Sequence, residues 1–343
     1  MSADTTRAPA PPQQRAAPAP RRRLASPRVL PVLATFVLFV AMFGIGSARY
    51  DGFFSLQVLL NLFIDNAYLI VLAVGMTFVI ITGGIDLSVG SVVALSGVLA
   101  AKLLATGWSA VAVLLVVLLV GTSLGLAMGL VIHYLELQPF VVTLAGMFLA
   151  RGLCYVISVD SVSIDNAWYT SVAQTQIPLG GGLHIAPTVL IALGVVLLAG
   201  YLLHLTRLGR TVYAIGGNEQ SALLMGLPVA RTKVLVYTIS GFCSALGGVL
   251  YSLYTLSGYS LNGVGMELDA IAAVVIGGTL LSGGTGGLLG SFFGVMILGL
   301  IQSYILFTGT LSSWWAKIAT GVLLFGFIAM QRLVLLLSAR RSP

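Results

Sequence analysis

Asp86 is the residue of this chain whose setting most needs a reason. It stands in "TFVIITGGIDLSVGSVVAL" (77–95), an apolar stretch interrupted by Gly83, Gly84 and Ser88. An aspartate in hydrocarbon costs roughly 2.5–3.5 kcal/mol on insertion scales, so it is kept for something it does. One possibility is an intramembrane protease, which needs two aspartates sharing a proton. Asp86 and Asp269 are the pair on offer, but Asp86 follows "GGI", and the "YD" at 50–51 falls at a span end. A second is ion coupling in a secondary transporter, with ionisable groups at the bilayer midplane. Asp86, Arg151, Glu267, Asp269 and Lys317 are the groups available for it. A third is structural: a carboxylate ahead of "LSVGSVVAL" meets the orphan N–H groups and positive dipole end of a new helix. We expect the third, with Gly83 and Gly84 making the turn at a helix break near a cavity. Arg151 and Lys317 are expected to snorkel or pair locally.

Other chemistries find no residues to carry them. No Lys follows a Gly, so there is no phosphate-binding P-loop and the chain does not itself bind ATP in that manner. His133, His184 and His204 are isolated, and no H-E-x-x-H exists. Cys154 and Cys243 lie far apart in apolar runs, without CxxC or Cys/His spacing, and read as buried small residues. No metal site, no catalytic residue and no cofactor of its own is expected.

Composition sets where these residues must sit. Apolar residues make up 58% of the 343 and charged residues 8%, against roughly 25% charged in a soluble domain. So few charges cannot cover a soluble surface, and the chain reads as an all-α polytopic membrane protein. The net charge of +7 is then explained by cytoplasmic Lys and Arg rather than by nucleic acid.

Spans of roughly 20 apolar residues are expected over 29–48, 58–81, 87–105, 109–132, 139–158, 186–205, 234–256, 285–307 and 312–331, with a shorter tenth over 267–283 that carries Glu267 and Asp269 at its start. Residues 1–28 are Pro/Ala/Arg-rich and expected to be a disordered tail. "RRRLASP" faintly resembles a twin-arginine signal, but the following run is long enough to be a retained span. Residues 333–343 are expected to be a short C-terminus. Basic residues gather in the tail, in the 206–233 loop (Arg207, Arg210, Arg231, Lys233) and at the C-terminus. That side is therefore expected to be cytoplasmic, with both termini on it. The 159–185 loop, with Asp160, Asp165 and Trp168, is expected outside.

Two further features concern function. "GGIDLSVG" (83–90) and "GGTLLSGG" (277–284) share GG-x-x-L-S-x-G. The shared pattern marks Gly83, Gly84, Asp86, Ser88, Gly277, Gly278 and Ser282 as residues of a transport pathway or helix break, or else one turn used twice by chance. In the 206–233 loop, "NEQSALLMGL" reads as a short helix with Asn218 as N-cap, Glu219 in the first turn and Gly226 with Pro228 as the stop. Its apolar positions, Ala222, Leu223, Leu224 and Met225, cannot all face the chain itself, which makes it a docking element unless it packs against the spans.

At these residues the chain resembles a known family. "AVGMTFVIITGGIDLSVGSVVALSG", "YAIGGNEQSALLMG" and "ELDAIAAVVIGGTLLSGGTGGLLGS" are similar to the permease subunits of bacterial ABC importers for monosaccharides, the ribose/xylose/arabinose group, from about residue 50 onward. "FTGTLSSWWAKIATGVLLFGFIAMQR" (307–332) resembles the galactofuranose permeases within it. The Pro/Ala/Arg tail departs from the family, and Met225 stands where many relatives carry Ser. The resemblance implies a type II-like permease of ten spans in the bacterial inner membrane. Implied partners are a second permease, similar but distinct in the galactofuranose system, an ABC ATPase holding ATP and Mg2+, and an external sugar-binding protein. It also implies that Asn218, Glu219, Ser221, Leu223, Leu224, Met225 and Gly226 form the ATPase-coupling helix, with Glu219 a polar contact at its rim. Asp160, Asp165 and Trp168 then become contacts to the binding protein.

Overall fold

The computed structural model describes residues 30–310, 312 and 314–339; the tail expected over 1–28 lies outside the described residues. In chain order, α1 (Leu30–Arg49), α2 (Leu56–Ile81), α3 (Val89–Ala105), α4 (Ala110–Tyr134) and α5 (Pro139–Ile157) come first. A connection follows that holds β1 (Val162–Ser163), α6 (Ala167–Gln174), β2 (Ile177–Gly180) and β3 (Leu183–Ile185). After α7 (Pro187–Leu205) the chain makes two short helices, α8 (Arg207–Gly217) and α9 (Glu219–Leu224). It then enters α10 (Val229–Thr255), β4 (Ser257–Gly258), α11 (Met266–Ile276), α12 (Leu288–Thr308) and α13 (Trp314–Ala339). Among the described residues, eight helices are long and apolar enough to cross a membrane, and α3, at 17 residues, is a shorter apolar one. The fold is that of an all-α polytopic membrane protein.

α2 and α10 form the centre. The second half of α2, from Leu69 to Ile81, is buried without a break, as a helix apolar on every side must be. α4 packs against α10 through small residues: a Cβ on Gly125 would lie 2.3 Å from the Tyr237 carbonyl oxygen, and one on Gly241 would lie 2.4 Å from that of Gly121. With lipid tails as apolar as the side chains, such close backbone approach is what drives helices together.

Two passes are discontinuous, in line with the helix break expected at Gly83–Gly84 and the shorter span expected over 267–283. α2 ends at Ile81, beside Gly216 and Gly284 at the α8 end of the bundle. Residues 82–88 then climb back, non-helical, to the level of Ser240 midway along α10, where α3 begins. Conversely, 259–265 descend from β4, and α11 starts beside the first turn of α3: the space a Cβ on Gly90 would need is taken by the Gly263 carbonyl and the Glu267 carboxylate. α11 stops at Ile276 rather than 283, and α12 starts at Leu288 rather than 285. Paired glycines with left-handed φ at 283 and 284 hold the intervening turn.

Other boundaries also differ from expectation. The 206–233 segment is mostly helical, with α8 unanticipated and 229–233 belonging to α10. The 159–185 loop folds into α6 and an antiparallel hairpin, and β1 pairs with β4. α13 continues to Ala339, through most of the expected C-terminal tail.

Candidate functional site

The site at the α8 end is built almost wholly of backbone. Gly284 N–H donates to the Ile81 carbonyl at 2.9 Å, tying the turn after α11 to the end of α2. Gly216, near the end of α8, sits on both: its Cβ would lie 1.8 Å from Ile81 O and 2.4 Å from Gly284 N. A Cβ on Gly283 would meet Gly83 N at 2.8 Å, and one on Gly83 would meet the Ser282 carbonyl at 3.6 Å. The Tyr213 hydroxyl donates to Gly286 O at 2.8 Å. The two copies of GG-x-x-L-S-x-G thus touch each other and α8. The remaining marked residues are placed differently. Gly277 is packed against Gly290 of α12, Gly278 lies over Pro31 of α1, and the Ser282 side chain is exposed.

Asp86 is fully buried and all its bonds are internal. Its Oδ1 accepts from Ser88 N at 2.9 Å and from Ser88 Oγ at 2.6 Å, and its Oδ2 accepts from Ser240 Oγ at 2.6 Å. It is not the N-cap itself. Ser88 holds that position with its hydroxyl turned back to Asp86, so the carboxylate ties the rising 82–88 strand to α10 instead of capping the first turn of α3. Gly84 is small because the Tyr237 hydroxyl roofs it, 2.2 Å from where a Cβ would lie. Asp86→Leu will strand the Ser88 N–H and two hydroxyls, each unsatisfied donor costing about 1–3 kcal/mol. Asp86→Asn keeps acceptors for most of them. Thermal unfolding of the purified protein in detergent should therefore rank wild type, Asn and then Leu, and a Leu variant as stable as wild type would refute the tie.

On α9 the backbone is fixed and the side chains are offered outward. Asn218 Oδ1 accepts from Ser221 N at 2.7 Å, capping the helix, and Gly226 stops it with φ 72°. Ala222 alone packs inward, with Ile215 and Val229. Leu223, Leu224 and Met225 are 54%, 90% and 67% exposed. Glu219, expected as a polar contact at the rim of a partner, is 40% exposed and also held by its own chain: Lys233 Nζ donates to both its oxygens, at 2.7 and 2.8 Å. That ion pair braces α9 against α10.

At the opposite end Asp160, Asp165 and Trp168 are exposed, with Ser163 Oγ donating to Asp165 Oδ1 at 3.1 Å. Tyr169 anchors α6: buried, it shares a 2.6 Å hydrogen bond with Ser252 Oγ of α10, and burial pushes its phenol up to about 12. Gln57 pins the hairpin by exchanging bonds with the His184 backbone at 3.0 and 3.3 Å. Arg151 and Lys317 both find partners. Arg151 Nη1 donates to the carbonyls of Ser260 and of Asn262, the latter at 2.8 Å, and Lys317 pairs with Asp269 at 2.6 Å. Sequence reasoning missed Gly216, Tyr213 and Tyr169. The glycine pair at 216–217 was the one signal available, and nothing in it says which glycine touches a neighbour.

Comparison with known proteins shows the family. Residues 58–328 match the family model described as "Branched-chain amino acid transport system / permease component". The chain is 49% identical over 306 residues, 89% of its length and 92% of the relative's, to the inner membrane ABC transporter permease protein YjfF of Escherichia coli K12. It is 41% identical to the fructose import permease protein FruG of Bifidobacterium longum (90% and 92% covered) and 36% identical to the ribose import permease protein RbsC of Escherichia coli K12 (84% and 90% covered). No solved structure matches.

Proposed function

The chain belongs to the family of branched-chain amino acid transport system permease components, and from that premise we propose that it is the membrane path of an ATP-driven importer of a monosaccharide. Members of this family are non-catalytic subunits of ABC transporters in the inner membrane, working with an ATPase and a binding protein. The family description mentions amino acids, but FruG and RbsC, which align over most of both chains, are named for fructose and ribose. A sugar is therefore the better reading, and the resemblance at 307–332 favours galactofuranose. A second permease, a related but distinct chain, completes the path.

The observation that carries the mechanism is α9, with its three exposed apolar side chains, joined through Gly216 to both discontinuous passes. We read the α8 end, which carries Arg207, Arg210, Arg231 and Lys233, as cytoplasmic. Counting 82–88 with α3 and 257–265 with α11 as passes gives ten, with both termini on that side. An ATPase that changes shape on binding ATP displaces α9. The backbone joint passes the displacement to the turns before α3 and after α11, so the path opens alternately to each face. Sugar arrives at the other end, where the exposed Asp160, Asp165 and Trp168 meet the binding protein.

Ion coupling is not favoured. Asp86 is satisfied within the protein, and Asp269 and Lys317 neutralise each other. Uptake of labelled monosaccharide into proteoliposomes should require both ATP and the binding protein. Uptake that persists without ATP under a proton or sodium gradient would overturn the proposal.

A further inference from the structure

The arginines at the α8 end share one cavity. It opens between the first turn of α8 and the start of α10 and holds about 510 Å3, within the usual size range of small-molecule sites. Arg207, Arg210 and Arg231 line it together with Leu208, Leu227 and Leu235. α7 ends at Leu205 and α10 begins at Val229, and both are long and apolar enough to span. The cavity therefore stands where two spans meet the membrane surface. Leu235 lies one helical turn past Arg231 on α10, so the wall runs from the charged level toward the bilayer core.

The three guanidiniums are exposed, and no acid lines the cavity with them. Among the described residues the ion pairs are Lys233 with Glu219 and Lys317 with Asp269, so the nearby carboxylate of α9 is already engaged. Neither α8 nor α10 has an acidic residue in its first turn or a side-chain cap. Their positive dipole ends thus add to the arginine field instead of being offset. Like charges around one small space repel, and a phosphate there replaces that repulsion with forked hydrogen bonds.

We propose that this cavity seats an anionic phospholipid, its phosphate held by Arg207, Arg210 and Arg231 and its acyl chain laid along the leucines. The walls choose among anions. A free inorganic anion gains nothing from Leu208, Leu227 and Leu235, and an acidic protein segment would reach the arginines from water without entering the apolar depth. A phospholipid matches both halves and is the solvent next door. Basic pockets between spanning helices are suited to such headgroups. A zwitterionic lipid matches less well, because its cationic amine is brought against the guanidiniums. Seated there, the lipid bridges α10 and the helix that carries Gly216.

Full-length permease in detergent is titrated with phosphatidylglycerol, phosphatidylcholine and inorganic phosphate, and bound lipid is counted by native mass spectrometry. Wild type should take phosphatidylglycerol roughly tenfold or more tightly than phosphatidylcholine, and inorganic phosphate should not displace it. Arg207→Gln, Arg210→Gln and Arg231→Gln should each weaken phosphatidylglycerol binding roughly fivefold, the effect of one basic residue near a membrane surface. Phosphatidylcholine binding should not change in them, and Arg49→Gln, outside the cavity, should match wild type with both lipids. The ATPase should co-purify with every variant. Equal binding of the two lipids by wild type, a result that needs no variant to fold, would overturn the proposal. Displacement by inorganic phosphate would also overturn it, making the cavity a site for free anions. Loss of the ATPase from the arginine variants with lipid binding intact would overturn it too, making the arginines a seat for that subunit.

Discussion

A transporter carrying Leu224→Asp will receive its external sugar-binding protein normally and import almost nothing. Leu224 is the most exposed of the three apolar side chains on α9, at 90%, and Leu223 and Met225 flank it. Interfaces concentrate their energy in a few buried anchors, each costing about 2 kcal/mol or more when lost. A loss of that size weakens binding roughly 30-fold, and an aspartate adds the burden of an unpaired charge pressed into an apolar cleft. The helix itself should survive, because its supports lie elsewhere: Asn218 caps it, Ala222 packs inward and Glu219 holds Lys233. The measurements are ATPase retained per permease and sugar uptake, and normal values of both would show that α9 is ordinary surface. Glu219→Gln should weaken coupling less, since it loosens the brace and leaves the anchors in place.

Gly216→Ala will damage the protein far more than Gly217→Ala, one residue along the same helix. A methyl group at 216 would sit 1.8 Å from the Ile81 carbonyl and 2.4 Å from the Gly284 nitrogen, whereas nothing lies within 4 Å of one at 217. The atoms in the way at 216 are backbone, and no side chain can rotate aside. Overpacking of this kind typically costs about 1–3 kcal/mol, and the hydrogen bond from Gly284 to Ile81 is at risk in addition. Gly216→Ala should lower the unfolding temperature and abolish uptake, even where the ATPase still binds. Gly217→Ala should match wild type in both. Equal behaviour of the two variants would mean that α8 does not transmit force through this contact.

How much of this is legible in the chain alone follows from what each signal measures. Hydropathy integrates over a span, so the eight long helices and their membrane setting can be read from composition and run length. Capping is local too. Asn218, three residues before the residue whose N–H it accepts, and Gly226, left-handed at the helix stop, are both identifiable from neighbours in sequence. The same holds for the breaks at Gly83–Gly84 and near Gly283, because paired glycines interrupt a helix wherever it lies.

Contacts across the bundle are not legible in this way. Hydropathy sees 82–88 and 257–265 as lapses in apolar runs and is blind to direction, so it does not reveal that the first climbs and the second descends to mid-bundle before a half-helix begins. Asp86 has a local partner in Ser88, which invites the capping assignment; its bond to Ser240, 154 residues away, makes it a tie between elements. The brace on Glu219 is likewise invisible in sequence because Lys233 lies 14 residues on, beyond the reach of helical spacing. The sequence by itself determined the solvent this protein lives in, its long apolar helices, the cap and stop of α9, and its family motifs, since all of these depend on residues close along the chain. Only the tertiary structure decided which glycines bear on one another and which charges are already paired. Those contacts join residues far apart in sequence, and they form only when the whole bundle has packed.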